Sequence, residues 1–241
     1  MPVATQPSTQ PGTLPATARH FVILPGMEGS GKTQALLAKA LTEYGEVYSL
    51  SYPPDRICPY EELATSLPWP EVPHVIVASS YGGPLALRRA LARHELVQAV
   101  VLLGSFAAAP IRFGPSLSVL TPLLFRRPPP RSRIARALGK QADEELIELA
   151  HAAVSAPSGH VMRARLREVL RGDLRAALPA LRQPVLYLRG LEDTLVGTYG
   201  LASLANVPRL TVRTVPTGHF MALTEPEACA REIVSFLRIH D

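Results

Sequence analysis

Apolar residues along this chain gather into short runs separated by stretches of longer period. The runs His20–Leu24, Glu46–Leu50, His74–Ser79, Val97–Leu103, Pro184–Leu188 and Arg209–Val215 have the length and β-branched content of strands. Several are apolar throughout, as in Val75-Ile76-Val77-Ala78, which predicts strands covered on both faces. Between them, Thr33–Tyr44, Tyr60–Leu67, Pro84–Arg93, Tyr199–Ala205 and Pro226–Ile239 carry apolar residues at helical spacing. Strands alternating with helices predict an α/β fold built on a mostly parallel, doubly wound sheet. The rhythm breaks between Ser105 and about Leu170, where Asp143–Val154 and Val161–Leu170 have helical spacing and Arg126–Arg136 is basic and proline-rich.

The chemistry sits at strand ends. Val75–Ser79 runs into Ser80-Tyr81-Gly82-Gly83 and then a helix. A serine at the tip of such a turn is forced out of the sheet, and the positions two before and two after it must be small; here they are Ala78 and Gly82. Ser79 is a poorer nucleophile candidate, because the same positions would then be Val77 and Tyr81. The strand Pro184–Leu188 ends in Gly190-Leu191-Glu192-Asp193, and Arg209–Val215 ends in Gly218-His219-Phe220. In open parallel sheets the strand C-termini share one rim, where sites form. Ser80, Asp193 and His219 can therefore meet: His219 would take the Ser80 proton, and an acid would hold the imidazole tautomer.

With these segments and Leu24-Pro25-Gly26-Met27-Glu28-Gly29-Ser30-Gly31, the chain from about His20 to Leu237 resembles a small member of the α/β-hydrolase fold superfamily. It departs from the usual pattern in having Ala78 for the first glycine of the nucleophile turn and Ser79 where a histidine often stands. The resemblance implies the order Ser, Asp, His and favours Asp193 over Glu192, since Gly-x-x-Asp is the usual loop spacing of this fold. It implies an oxyanion hole from the N–H groups of Met27 and Tyr81. It also makes the segment of about 105–170 a helical cap after the strand ending near Leu103. Phe106, Phe113, Leu117, Leu120 and Leu124 are then candidates for an acyl-pocket wall, with Phe220 beside His219; the cap residues equally suit anchoring the cap to the core. The reaction implied is hydrolysis of a carboxylic ester or thioester through an acyl-enzyme, with no metal or organic cofactor. An acyltransferase on the same three residues and a non-catalytic binding protein of this fold remain open.

Gly26-x-x-x-x-Gly31-Lys32-Thr33 also matches a phosphate-binding P-loop between a strand and a helix. Against nucleotide binding, Val75–Val77 runs into Ala78-Ser79-Ser80 and Val100–Leu103 into Gly104-Ser105, so neither of these strands ends in an acid able to hold magnesium.

At 241 residues and 47% hydrophobic content, the chain suits one α/β domain over residues 19–241. Residues 1–18, rich in Pro, Thr, Ser and Gln, read as a disordered tail. No secretory or membrane-spanning run is visible, and two cysteines, Cys58 and Cys229, read as free thiols of a cytoplasmic protein. The net charge of +5 is dispersed and lacks an aromatic-interleaved basic stripe, so a small-molecule ester or thioester is expected as partner rather than nucleic acid. The arginines at 126, 127, 131, 133 and 136 read as a solvated face, with an anionic docking site as the other reading.

Overall fold

A computed structural model describes residues 19–123, 128–140 and 142–240. The expected tail at residues 1–18, the wall candidate Leu124 and the arginines Arg126 and Arg127 lie outside the described residues. In chain order come β1 (Arg19–Leu24), α1 (Ala35–Leu41), β2 (Gly45–Ser49), α2 (Tyr60–Ser66), β3 (His74–Ser79), α3 (Gly82–Ala92) and β4 (Val97–Leu103). A helical excursion follows: α4 (Gly114–Leu117), α5 (Arg131–Leu138), α6 (Glu144–Ser155) and α7 (Gly159–Arg171). The chain then returns to the sheet with β5 (Val185–Gly190), α8 (Gly197–Ala202), β6 (Leu210–Val215), α9 (Met221–Thr224) and α10 (Pro226–Ile239).

The six strands form one sheet in the order β2-β1-β3-β4-β5-β6, with every pairing parallel. Strand periodicity sorts the core into two layers. Val22, Leu24, Ile76, Ala78, Val100, Leu102, Val185 and Tyr187 face the layer that holds Leu85 and Leu87 of α3. Phe21, Ile23, Val75, Val77, Val101, Leu103, Leu186 and Leu188 face the other, against Leu37 of α1 and Cys229, Ile233 and Phe236 of α10. This is why β3 is buried along its whole length and reads as an unbroken apolar run.

The expected strands are all present, and α10 has the expected limits. Three expectations shift. The predicted helix from Thr33 begins as a 3-10 turn, Lys32–Gln34, and becomes α-helical only at Ala35, because Gly31 at its cap is left-handed. Helices α6 and α7 start at side-chain caps, Asp143 accepting from Leu146 N–H and Ser158 from Val161 N–H. Helix α5 occupies part of the segment expected to be only basic and proline-rich. Its signal is Ile134, Ala137 and Leu138, at i, i+3 and i+4, all buried.

Candidate active site

The strand order reverses between β1 and β3, so the crevice past the C-terminal ends of those two strands is where a doubly wound sheet accommodates a ligand. The loop from Gly26 and the turn at Ser80 meet there. Ser80 has φ +47°, a conformation that costs a non-glycine residue roughly 1–2 kcal/mol. Ser79 remains in the ladder opposite Leu103, whereas Ser80 stands at the tip of the turn. The neighbours are small for the expected reason: a Cβ on Gly82 would lie 2.8 Å from the Pro25 carbonyl oxygen. The Ser105 hydroxyl donates to the Ser80 carbonyl at 2.6 Å, and the Gly83 N–H donates to the same oxygen at 3.0 Å.

At the ends of β5 and β6, Asp193 and His219 meet. Asp193 Oδ2 lies 2.8 Å from His219 Nδ1, and both side chains are almost fully buried. Asp193 Oδ1 accepts from the N–H groups of Leu195 at 2.8 Å and Val196 at 3.1 Å. Burial pushes the Asp193 carboxyl up, yet it is held below the ordinary carboxylate range by the His219 ring and by those two N–H groups. The approach depends on Gly104, at the end of β4 with φ +49°: a Cβ there would sit 2.9 Å from Asp193 Oδ2 and 3.3 Å from His219 Nδ1. Glu192, the neighbouring acid, faces elsewhere. It accepts from the Lys140 N–H at 3.1 Å and pairs with the Lys140 ammonium at 3.5 Å. The His219 N–H donates to the Ala137 carbonyl at 2.7 Å, which ties the histidine loop to α5.

The first loop is not built as a phosphate cradle. Its interior is filled by its own Glu28 side chain, which is buried. Glu28 Oε2 accepts from the Ser30 N–H and from the Ser30 hydroxyl at 2.6 Å, and Oε1 accepts from the Thr33 hydroxyl at 3.1 Å. A phosphate would meet a carboxylate, the hydroxyl that would serve magnesium is already engaged, and Lys32 points to solvent. Among the described residues, the N–H groups of Met27 and Tyr81 have no acceptor. The Tyr81 side chain turns into the core, where it stacks on Tyr60 at 4.6 Å.

Ser80 and His219 open onto one cavity of about 280 Å³. Gly26, Met27, Glu28, Thr33, Gln34, Ser79, Leu195, Phe220 and Ala222 line it. From the excursion, Pro129, Arg133, Ile134, Ala137, Val154 and Met162 line it. The wall expected from Phe106, Phe113, Leu117 and Leu120 is thus corrected. Of those candidates, Phe106 is a core residue, because Ser105 before it is held beneath the Ser80 turn. Phe113, Leu117 and Leu120 are exposed and do not line the cavity; Phe113, at φ +58°, turns the segment outward as α4 begins. Among the described candidates, Phe220 is the one that lines it. Residues from α5, α6 and α7 replace the others. The helical spacing of Ile134 and Ala137 was the available signal. Of the basic cluster, Arg131 pairs with Glu144 and Glu148 on α6, and Arg133 reaches the cavity. Among the described residues no three His, Cys, Asp or Glu side chains gather as a metal site, and no helix is long and apolar enough to cross a membrane.

The sequence profile of the alpha/beta hydrolase family matches residues 11–232. No curated protein matches the chain. Similar solved structures include a thermophilic esterase of Thermogutta terrifontis, 18% identical with a TM-score of 0.77 over 93% of this chain and 91% of that one. MenH of S. aureus is 15% identical with a TM-score of 0.72, over 94% and 96%. The enol-lactonase of Burkholderia xenovorans LB400 is 14% identical with a TM-score of 0.73, over 94% of each chain. At these identities the likeness is one of fold.

Proposed function

The chain belongs to the alpha/beta hydrolase family, and from that premise we propose that it is a serine hydrolase of carboxylic esters or thioesters. The observation that carries this reading is that Ser80, strained at the strand-to-helix turn, shares a cavity with His219, whose far nitrogen side is hydrogen-bonded to buried Asp193.

In this reading His219 Nε2 takes the Ser80 proton as Oγ attacks the acyl carbon, and Asp193 holds Nδ1 protonated and stabilises the imidazolium. Negative charge develops on the carbonyl oxygen, and the N–H groups of Met27 and Tyr81 receive it. The Ser80–Tyr81 peptide is well prepared for that role. Its carbonyl already accepts from Ser105 and Gly83, which polarises the N–H at its other end, and α3 begins immediately after it. His219 then protonates the leaving alcohol or thiol. A water enters, gives its proton to His219 and attacks the acyl-enzyme, and the acid leaves as Ser80 recovers its proton. The segment 105–170 acts as a cap, and its Ile134, Ala137, Val154 and Met162 suit an apolar acyl or alkyl group.

A fluorophosphonate probe tests the assignment. Labelling is expected at Ser80, lost in Ser80→Ala and in His219→Ala. A graded panel of p-nitrophenyl esters and acyl thioesters should be turned over by the parent, and Ser80→Ala should lower kcat on the order of a millionfold while remaining folded. Parent-like turnover in Ser80→Ala with loss in Ser79→Ala would overturn the choice of serine. Added alcohol acceptors separate hydrolysis from acyl transfer by product.

A further inference from the structure

Arg165 lies on α7, in the excursion, and is 5% exposed. Among the described residues no carboxylate lies within ion-pair distance of it. Its guanidinium binds backbone instead: Nη1 donates to the Met27 carbonyl at 2.7 Å, and Nη2 donates to the Pro53 carbonyl at 2.7 Å. The group also lies 5.5 Å over the Tyr52 ring. Gly29 leaves the room for it, since a Cβ there would come within 2.7–3.0 Å of three guanidinium atoms, and its φ of +77° disfavours any side chain. A buried arginine held by backbone carbonyls and an aromatic ring, with no carboxylate in ion-pair contact among the described residues, exchanges its water for partial charges. Its planar fork suits the task, as two parallel donors can bridge two chain segments at once.

Met27 and Glu28 are the central residues of the turn closed by the Gly29 N–H donating to the Gly26 carbonyl at 3.1 Å. The Met27 N–H belongs to the Gly26–Met27 peptide, which the closing bond holds, whereas the peptide between the central residues, which carries the Met27 carbonyl, can rotate in such a turn and so change the Met27 backbone angle beside that N–H. The bond from Arg165 fixes that carbonyl. Tyr52 holds the same loop on either side, its hydroxyl donating to the Pro25 carbonyl at 3.1 Å and its N–H to the Gly29 carbonyl at 2.7 Å.

We propose that Arg165 is a positioning residue that wires the cap to the oxyanion hole, fixing the Met27 turn so that its N–H meets the developing oxyanion. The cap is then part of the catalytic apparatus as well as its roof, and the state of α7 sets the competence of the site. This rests on the oxyanion role proposed for Met27.

The test uses the full chain with Arg165→Met and Arg165→Lys, a boronic acid that becomes a tetrahedral adduct on Ser80, and a neutral amide analogue of the substrate as ground-state competitor. Arg165→Met is expected to lower kcat about 10- to 100-fold, below the full loss of an oxyanion donor, with KM within threefold. The boronate Ki should rise in proportion to the loss in kcat/KM, and the amide Ki should stay unchanged. Arg165→Lys keeps the charge but not the fork; it should fold, lose at least fivefold in kcat and weaken the boronate likewise. If Arg165→Met does not fold, Arg165→Lys decides. Folded variants with parent-like kcat and boronate affinity, or with boronate and amide weakened equally, overturn the inference. Failure of the parent itself to label with fluorophosphonate would instead overturn the hydrolase reading.

Discussion

Replacing Asp193 by asparagine changes one oxygen into an NH2 group in a site with no room to rearrange. Oδ1 can keep both of its bonds, from the Leu195 N–H at 2.8 Å and the Val196 N–H at 3.1 Å. The amide nitrogen must then face His219 Nδ1 at about the 2.8 Å now separating Oδ2 from it. A donor at that place forces Nδ1 to accept, which moves the ring proton to Nε2, toward Ser80. The imidazole in that tautomer cannot take the serine proton. Such a change lowers kcat by about 10⁴, equivalent to roughly 5 kcal/mol of transition-state stabilisation. Stability should fall less, because a charge-assisted hydrogen bond contributes about 1.5–3 kcal/mol, which is a decrease in Tm of about 3–12 °C for a chain of this size. The pH dependence carries a sign. The folded Asp193 carboxyl is below its ordinary value of about 3.9, so it contributes stability above that pH and loses it as pH falls through the lowered folded value. Asp193→Asn should therefore lose part of the acid limb of the Tm–pH curve. Steady-state ester hydrolysis and thermal melts from about pH 3 to 8 measure both. Glu192→Gln is the control, since among the described residues its carboxylate bonds and pairs with Lys140, and it should remain within threefold of the parent. Asp193→Asn retaining a tenth of parent activity, or Glu192→Gln losing a thousandfold, would refute the assignment of the acid.

Gly104→Ala should lower kcat at least tenfold and Tm by several degrees, because the new Cβ meets the Asp193–His219 pair and the left-handed backbone adds about 1–2 kcal/mol; unchanged kinetics would show that the pair can move aside. Lys32→Ala should leave ester hydrolysis within a few-fold, while Gly26→Val, whose first side-chain carbon would stand 3.8 Å from the Ser80 Cβ, should lower kcat about 10²-fold; saturable ATP binding removed by Lys32→Ala would restore the P-loop reading. Ile134→Ala should shift preference in a p-nitrophenyl series toward longer or bulkier acyl groups, whereas Leu120→Ala, on an exposed residue outside the cavity, should not; the reverse would return the pocket wall to the 106–124 segment.

The sequence by itself determined the framework and the candidate chemistry at strand ends. Unbroken apolar runs marked the inner strands, because a strand buried on both faces has no polar alternation to lose, while the edge strands β2 and β6 are mixed in polarity and only partly buried. Ser80, Asp193 and His219 were legible because each follows a strand within a few residues, and parallel strands bring their C-terminal ends to one rim. What lies across that rim was not legible. The rejection of the P-loop acquired its physical reason only when Glu28 folded back into its own loop. Gly104 showed its use only once β4 lay beside β5 and its Cα faced an Asp–His pair built from two other loops. The cavity wall came from α5, α6 and α7 instead of the apolar residues nearest in sequence, because docking of a helical excursion depends on which faces fit and not on hydrophobicity alone. Arg165 carries no motif at all. It contacts Met27 from 138 positions away, through a carbonyl that every residue possesses, and a side chain that binds backbone leaves no sequence signal in its partner.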